Sequence, residues 1–326
     1  MSHYPPLIAA LITLFLALIL TLSKDGTLQD IPNDRSLHTE PVPRTGGIAL
    51  MAGILSGWML LIQFWAWWIV LPTLGLFVLS LVDDVRNLSP KTRLLGHFVA
   101  AAIILSGAGV GLLWLLPVLL FIVWMTNLYN FMDGSDGLAG GMAFFGFSFY
   151  GVACLMGGDE AFAMMNFAVG GAAMGFLYHN FHPAKIFMGD AGSIPLGFLA
   201  AAFGVWGWQQ EYWPFWFPIL VFSPFVADAT FTLAKRLRRR EKIMQAHRSH
   251  YYQRLVQMGW GHRNTAIAEY VLMLIAGISA IVGLGLDLSG QANLLAWWGA
   301  IYLGLTMWID RRWQQHELTK ESAGDA

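Results

Sequence analysis

The run Gly111-Leu-Leu-Trp-Leu-Leu-Pro-Val-Leu-Leu-Phe-Ile-Val-Trp-Met-Thr126 is apolar from end to end. It passes directly into Asn127-Leu-Tyr-Asn130-Phe-Met-Asp133-Gly-Ser-Asp136-Gly137-Leu-Ala-Gly140-Gly141. The first half suits hydrocarbon; the second sets amides and carboxylates at its edge. Apolar runs of about 18 residues or more read as spanning helices, and this pattern recurs along the chain. Hydrophobic residues make up 56% and charged residues 12%, whereas soluble domains carry about 25% charge. The expectation is therefore an all-α polytopic membrane protein forming one domain over 1–326.

Eleven spans are expected, at 5–22, 45–64, 66–82, 94–109, 111–127, 140–157, 161–178, 194–210, 214–234, 264–285 and 292–309. Residues 94–126 are short for two spans. Gly107, Gly109 and Gly111 mark a break, and helices reaching to Lys91 and Asn130 supply the missing length. Gly157-Gly158-Asp159-Glu160 divides 140–178 in the same way. The first run, Pro5–Leu22, follows a leader with no Lys or Arg, so it reads as an uncleaved span rather than a signal peptide.

All 19 Lys and Arg fall within 24–44, 83–93, 179–193, 235–263 and 310–320. Basic loops are retained on the cytoplasmic side. The pattern predicts an outer N-terminus, a cytoplasmic C-terminus and polar chemistry on the cytoplasmic face, with 311–326 as a flexible tail. The basic cluster lies between two spans, which gives nucleic-acid binding little support. The single cysteine, Cys154, lies in an apolar run and excludes an intramolecular disulfide framework. The Trp residues in the short outer connections fit membrane-interface anchors.

Four constellations carry chemistry. In the first, Asn127, Asn130 and Asp133 are spaced three apart, which sets them near one helix face. Carboxylates at the hydrocarbon edge are costly without partners and so are functional candidates. In the second, Asp83-Asp84 ends a span and is followed by Arg86, Lys91 and Arg93; adjacent carboxylates suit a divalent cation or proton abstraction. In the third, Asp190 lies between glycines in Ile186-Phe-Met-Gly189-Asp190-Ala-Gly192-Ser193, before a span whose N-terminus favours anions. A helix N-cap explains that run equally well. The fourth, His247-Arg248-Ser249-His250-Tyr251-Tyr252-Gln253-Arg254-Leu255, lies in the basic loop and suits phosphate and sugar hydroxyls. Zinc is disfavoured because further ligands at suitable spacing are missing. Asp228 reads as the one carboxylate well inside an apolar run, either bracing a site or purely structural.

Together these motifs resemble the polyprenyl-phosphate N-acetylhexosamine-1-phosphate transferases, over nearly the whole chain. The Asp83-Asp84 pair, the Asn127–Gly141 block, the Asn180-Phe-His-Pro183-Ala-Lys-Ile-Phe-Met-Gly-Asp190 run and the His247–Leu255 block occur in family order. Arg35, His38, Pro43, Arg44, Gly46 and Gly47 look like the family's first cytoplasmic motif. The peptidoglycan translocase branch carries successive histidines in the last loop. His-Arg-Ser-His here looks like the O-antigen-initiating branch instead, and speaks against a muramyl-pentapeptide donor.

The resemblance implies a UDP-N-acetylhexosamine donor, an undecaprenyl-phosphate acceptor, UMP as by-product, and Mg²⁺ (or Mn²⁺) as cofactor in the bacterial inner membrane. A homodimer is compatible with family likeness. On this reading Asp190 and Asn130 hold the metal, with Asp133 beyond them. Asp83 or Asp84 keeps the acceptor phosphate deprotonated; a covalent aspartyl-phosphate route is the rival. Arg44, Lys91 and Arg248 face phosphate charge, His247 and His250 the diphosphate or sugar, and Asn127 and Asp136 the uridine. A secondary transporter is the competing class, but transporters place ionisable groups near the midplane, whereas here the acids crowd one face.

Overall fold

The computed structural model describes residues 4–22, 29–30, 41–241 and 247–324. Arg35 and His38 lie outside the described residues. The chain is built from helices: α1 (Pro5–Leu22), α2 (Gly46–Met59), α3 (Trp67–Arg86), α4 (Pro90–Gly107), α5 (Leu115–Phe131), α6 (Leu138–Met156) and α7 (Glu160–Asn180) come first. They are followed by α8 (Asp190–Gln209), α9 (Trp216–Val221), α10 (Ser223–Arg238), α11 (Tyr251–Leu255), α12 (Gly261–Gly283) and α13 (Leu288–Gly324). One short antiparallel pair, β1 (Gln29–Asp30) with β2 (Val42–Pro43), precedes α2.

Among the described residues, eight helices are long and apolar enough to cross a membrane. They fall at eight of the eleven expected positions. The other three depart from a simple span for local reasons. The run at 45–64 gives a 14-residue α2 and then a 3-10 turn, Ile62–Phe64. The polar first turns of α4, from Pro90 to Arg93, dilute its apolar character. The run at 214–234 breaks at Phe222 between α9 and α10, because Pro224 has no N–H to continue the ladder. The expected helix extensions occur, since α4 begins at Pro90 and α5 ends at Phe131.

At the C-terminus, 311–324 continues α13 as helix. Its 37 residues make a helix about 55 Å long, well beyond hydrocarbon about 30 Å thick. Asp310 is anchored there, pairing with Lys235 and, at 2.9 Å, with Arg254. Good helix formers such as Gln314, Gln315, Glu317 and Leu318 carry the helix onward.

α8 is the axis of the bundle. Nearly all its residues are buried, and it packs on α5, α3 and α2, while α7 packs on α1 and α6. Small residues allow close backbone approach, as is usual between membrane helices. A Cβ on Gly171 would lie 2.3 Å from the Pro6 carbonyl oxygen, and one on Gly175 2.3 Å from that of Ala10. The tightest contact for function is α2 on α8: a Cβ on Gly47 would lie 2.3 Å from the Gly192 nitrogen.

Backbone cannot yield there as a flexible side chain can. Gly47→Ala is therefore expected to destabilise the protein by about 1–3 kcal/mol, the usual cost of overpacking, read as a lower melting temperature in detergent. An unchanged melting temperature would show that α2 and α8 are not in this contact.

Candidate active site

Five segments meet at one end of the bundle. α3 ends with Asp83 and Asp84 in its last turn. The chain then turns sharply through Asn87, which has a left-handed backbone (φ 50°). It re-enters helix at Ser89, whose Oγ accepts from the Thr92 N–H, with Pro90 beginning α4. Proline in a first helical turn forgoes only a hydrogen bond that would be missing anyway. This turn brings Arg93 back over α3, where its Nη1 lies 3.0 Å from Asp83 Oδ2 and 3.3 Å from Asp190 Oδ2. Asp83 Oδ1 also accepts from the Leu88 N–H at 2.6 Å.

Asp190 opens α8, preceded by Gly189 at φ 68°, a conformation that favours glycine. The segment before α2 is strapped alongside. The Phe187 N–H donates to Pro43 O (2.8 Å), Gly46 N–H to Phe187 O (2.9 Å) and Gly47 N–H to Met188 O (2.8 Å). The strap aims Arg44, whose Nη2 lies 2.8 Å from Asp84 Oδ1. From the end of α5, Asn130 Nδ2 donates to Asp190 Oδ1 and to Ser193 Oγ, both at 2.9 Å.

The sequence expectation puts Asn130 beside Asp190 on a metal. In the structure its amide N–H faces the carboxylate, so in this state Asn130 orients Asp190.

Asp83, Asp84, Asp133 and Asp190 thus share one site with Arg44 and Arg93. The expected carboxylates come together with Arg44. Arg93 is the residue that sequence reasoning passed over as a flanking base. Its signal was present in the Ser-Pro helix start three residues earlier, which fixes the direction of the first turn of α4.

Among the described residues, these four acids, with Asp30 nearby, face two guanidinium groups. Asp133 feels this most clearly. Burial, then the nearby Asp190, push its carboxyl up to about 7, with Arg44 opposing. A carboxyl raised in the folded protein holds its proton to about pH 7, while the unfolded chain releases it near pH 4. Its stabilising contribution is complete below about pH 4 and is lost as pH rises through about 7. Asp133→Asn should flatten this fall. Melting temperatures of both proteins from pH 4.5 to 7.5 without divalent cations test this, and parallel profiles would refute it.

Other candidates lie around this core. Asp136 is buried beside it: its Oδ2 lies 2.7 Å from His182 Nδ1 and accepts from the Ala184 N–H at 3.1 Å. His182 stacks on His262 with ring centroids 5.6 Å apart. The role of these two histidines was missed. His182 stood unassigned inside a quoted motif, and His262 comes from α12, far along the chain. The Asn127 Nδ2 serves Val123 O (2.7 Å) and His97 Nδ1 (3.1 Å). Lys91 and Arg248 are exposed, and neither side chain joins the carboxylate cluster among the described residues.

The histidine block is held from below by Asp228. Its Oδ1 accepts from the Tyr251 N–H (3.0 Å) and lies 3.0 Å from His250 Nδ1; its Oδ2 accepts from the Tyr252 N–H (2.9 Å). That resolves the question left open by the sequence: Asp228 is a brace. It is also not alone inside the apolar runs, since Glu269 lies within α12 with a buried Oε2 that has no hydrogen-bond partner.

His247 stacks on His250 at 4.9 Å. Burial, then His250, push its imidazole down to about 4, so it is neutral at pH 7 and both donates and accepts. Tyr252 Oη donates to Phe131 O at 3.3 Å, docking the block on the Asn127–Gly141 segment.

Removing the Asp228 carboxylate strands buried donors, each costing about 1–3 kcal/mol. Asp228→Ala is expected to speed amide hydrogen exchange across 247–255 more than in α8. Equal protection in mutant and wild type would show that another group holds the block.

Among the described residues no three His, Cys, Asp or Glu form a ready-made metal cage. The oxygen-rich acids nevertheless fit Mg²⁺, which takes one or two carboxylates and completes its shell with phosphate and water.

Residues 66–207 match glycosyl transferase family 4. This segment contains Asp83, Asp84, Arg93, Asn130, Asp133 and Asp190. The Bacillus subtilis protein named "Probable undecaprenyl-phosphate N-acetylglucosaminyl 1-phosphate transferase" is 32% identical over 273 residues, covering 78% of this chain and 76% of its own length. The Decaprenyl-phosphate N-acetylglucosaminephosphotransferase of Mycolicibacterium smegmatis is 28% identical over 298 residues, 76% of this chain and 73% of its own. A Phospho-N-acetylmuramoyl-pentapeptide-transferase of Symbiobacterium thermophilum is 40% identical over 140 residues, but these span only 36% of this chain and 42% of its own. With the motifs converging as they do, the chain belongs to glycosyl transferase family 4, the polyprenyl-phosphate N-acetylhexosamine-1-phosphate transferases that it resembles.

Proposed function

We propose that this protein transfers an N-acetylhexosamine 1-phosphate from a UDP-sugar to undecaprenyl phosphate, releasing UMP. The product is a diphosphate-linked lipid sugar that starts O-antigen or a related surface glycan. The observation carrying this reading is the cluster in which Asp83, Asp84 and Asp190, from two helix ends, are held by Arg93 and Arg44 at the edge of a membrane bundle. A lipid phosphate and a nucleotide diphosphate meet only at such an edge, because the prenyl chain stays in hydrocarbon and the nucleotide in water. The names of the relatives favour N-acetylglucosamine as the sugar.

Asp190 and Asp133 are the residues that would hold Mg²⁺, with Asn130 fixing the Asp190 carboxylate. The ion, when bound, supplies charge neutralisation to the transferred phosphoryl group. Asp84, held by Arg44, and Asp83, held by Arg93 and the Leu88 N–H, are the two proton acceptors available to the lipid phosphate. Arg44 and Arg93, paired with carboxylates at rest, are available to phosphate oxygens once substrate arrives. Phosphoryl transfer depends mainly on such positioning and electrostatics. We place the site on the cytoplasmic face of the bacterial inner membrane, on the distribution of Lys and Arg.

The purified protein, incubated with undecaprenyl phosphate, Mg²⁺ and a panel of labelled UDP-sugars, is expected to release UMP and label the lipid with UDP-N-acetylglucosamine or a 6-deoxy N-acetylhexosamine relative. EDTA should stop turnover and Mg²⁺ restore it. Asp190→Ala should lower the rate by about 100-fold or more, the scale of losing a main electrostatic group. Near-wild-type turnover in Asp190→Ala removes Asp190 from the mechanism. Transport of solute without UMP release overturns the enzymatic reading.

A further inference from the structure

Beyond the carboxylate cluster, a groove of about 830 Å³ opens between the end of α10, the short α11 and the projecting part of α13. Lys235, Arg238, Arg239 and Arg254 line it against two acids, Asp310 and Glu317. Two features separate it from an ordinary solvated basic face. Arg254 is 7% exposed, and among the described residues its Nε has no hydrogen-bond partner, although Nη1 pairs with Asp310 at 2.9 Å. Arg238 is exposed and has no ion-pair partner among the described residues, whereas Arg239 has Glu241 at 4.0 Å. Among the described residues, the groove therefore presents four cationic side chains to two acids.

Its surroundings indicate the occupant. Trp313 lines it, with the Arg254 guanidinium 5.6 Å from the ring. Leu318 in its lining is 64% exposed, and Leu237, beside Arg238 in sequence, is 62% exposed. Nearby Trp308 packs edge-on against Trp260 at 6.0 Å. Tryptophan and exposed leucine beside arginine mark the headgroup level of a bilayer, and basic pockets between membrane helices at that level take anionic headgroups. A free nucleotide or phosphate would not need the apolar margin.

We propose that this groove binds the phosphate of an anionic phospholipid, at a site separate from the carboxylate cluster. Such a lipid also has a route to the catalytic end. α11 carries Arg254 on the groove side, while its neighbours His250 and Tyr252 face Asp228 and Phe131 O. A headgroup on Arg254 therefore steadies the segment that docks on Phe131 at the end of α5.

The test is lipid retention, scored without any turnover, so that its failure is distinct from failure of the enzymatic reading. The full-length protein, purified in mild detergent, is exposed to equal amounts of phosphatidylglycerol and phosphatidylcholine and weighed by native mass spectrometry. Wild type is expected to retain phosphatidylglycerol selectively. Arg238→Gln with Arg239→Gln should weaken retention about 25-fold, since each cation near the surface contributes about fivefold. Melting temperature confirms that the variant is folded, and Arg86→Gln, at the exposed end of α3 and outside the groove lining, should retain lipid like wild type. Equal retention by wild type and the folded double variant overturns the proposal. So does displacement of the lipid by millimolar inorganic phosphate, which would make this a free-anion site, or by undecaprenyl phosphate alone, which would make it part of the acceptor path.

Discussion

Everything at the functional end depends on the pairing of carboxylates with cations. Among the described residues, Asp83, Asp84, Asp133 and Asp190 stand at the edge of a membrane bundle, and Arg44 and Arg93 hold three of them. Arg93 spans Asp83 and Asp190, and so ties the end of α3 to the start of α8. Arg44 ties Asp84 to the strap before α2. Carboxylates gathered this closely raise one another's proton affinity unless cations intervene. The two guanidinium groups stabilise the resting site by pairing with three of its acids.

The scaffold makes this concentration of charge tolerable by keeping the backbone stiff. α8 is buried almost throughout, so Asp190 is delivered by the least mobile kind of element in the bundle. The α2 strap is bonded to the Phe187–Met188 backbone, so Arg44 and Asp190 are positioned by the same stretch of chain. Asp228 does comparable work for the histidine block. Its carboxylate accepts from two successive backbone N–H groups, as an N-cap does, and it fixes His250 as well. A short helix such as α11 has little stability of its own and depends on these contacts.

Much of the fold was legible in the sequence because its signals are local. Hydrophobic runs, glycine breaks and clustered Lys and Arg each report on their own residues, and the helices fall where these signals put them. The failures were also local in cause. Pro224 divides a span that hydropathy draws as continuous. The polar first turn of α4 dilutes its apolar character. Glu269 was overlooked because one acid early in an apolar run hardly alters its average.

The site divides differently. The residue types were plain from the motifs: acids and amides where a membrane protein has no structural need of them, and histidines beside arginine. The pairings were not. Asp136 reads as an equal of Asp133, yet it turns to His182 and His262; Arg93 reads as one flanking base among three, yet it joins two of the acids. Sequence alone determined the class of protein, the run of its helices and the inventory of its chemistry, because these follow from composition and short-range spacing. Only the tertiary structure decided which acid meets which base. Those partners lie 97 positions apart for Arg93 and Asp190 and 60 for Asn130 and Asp190, and helix packing, not spacing along the chain, brings them together.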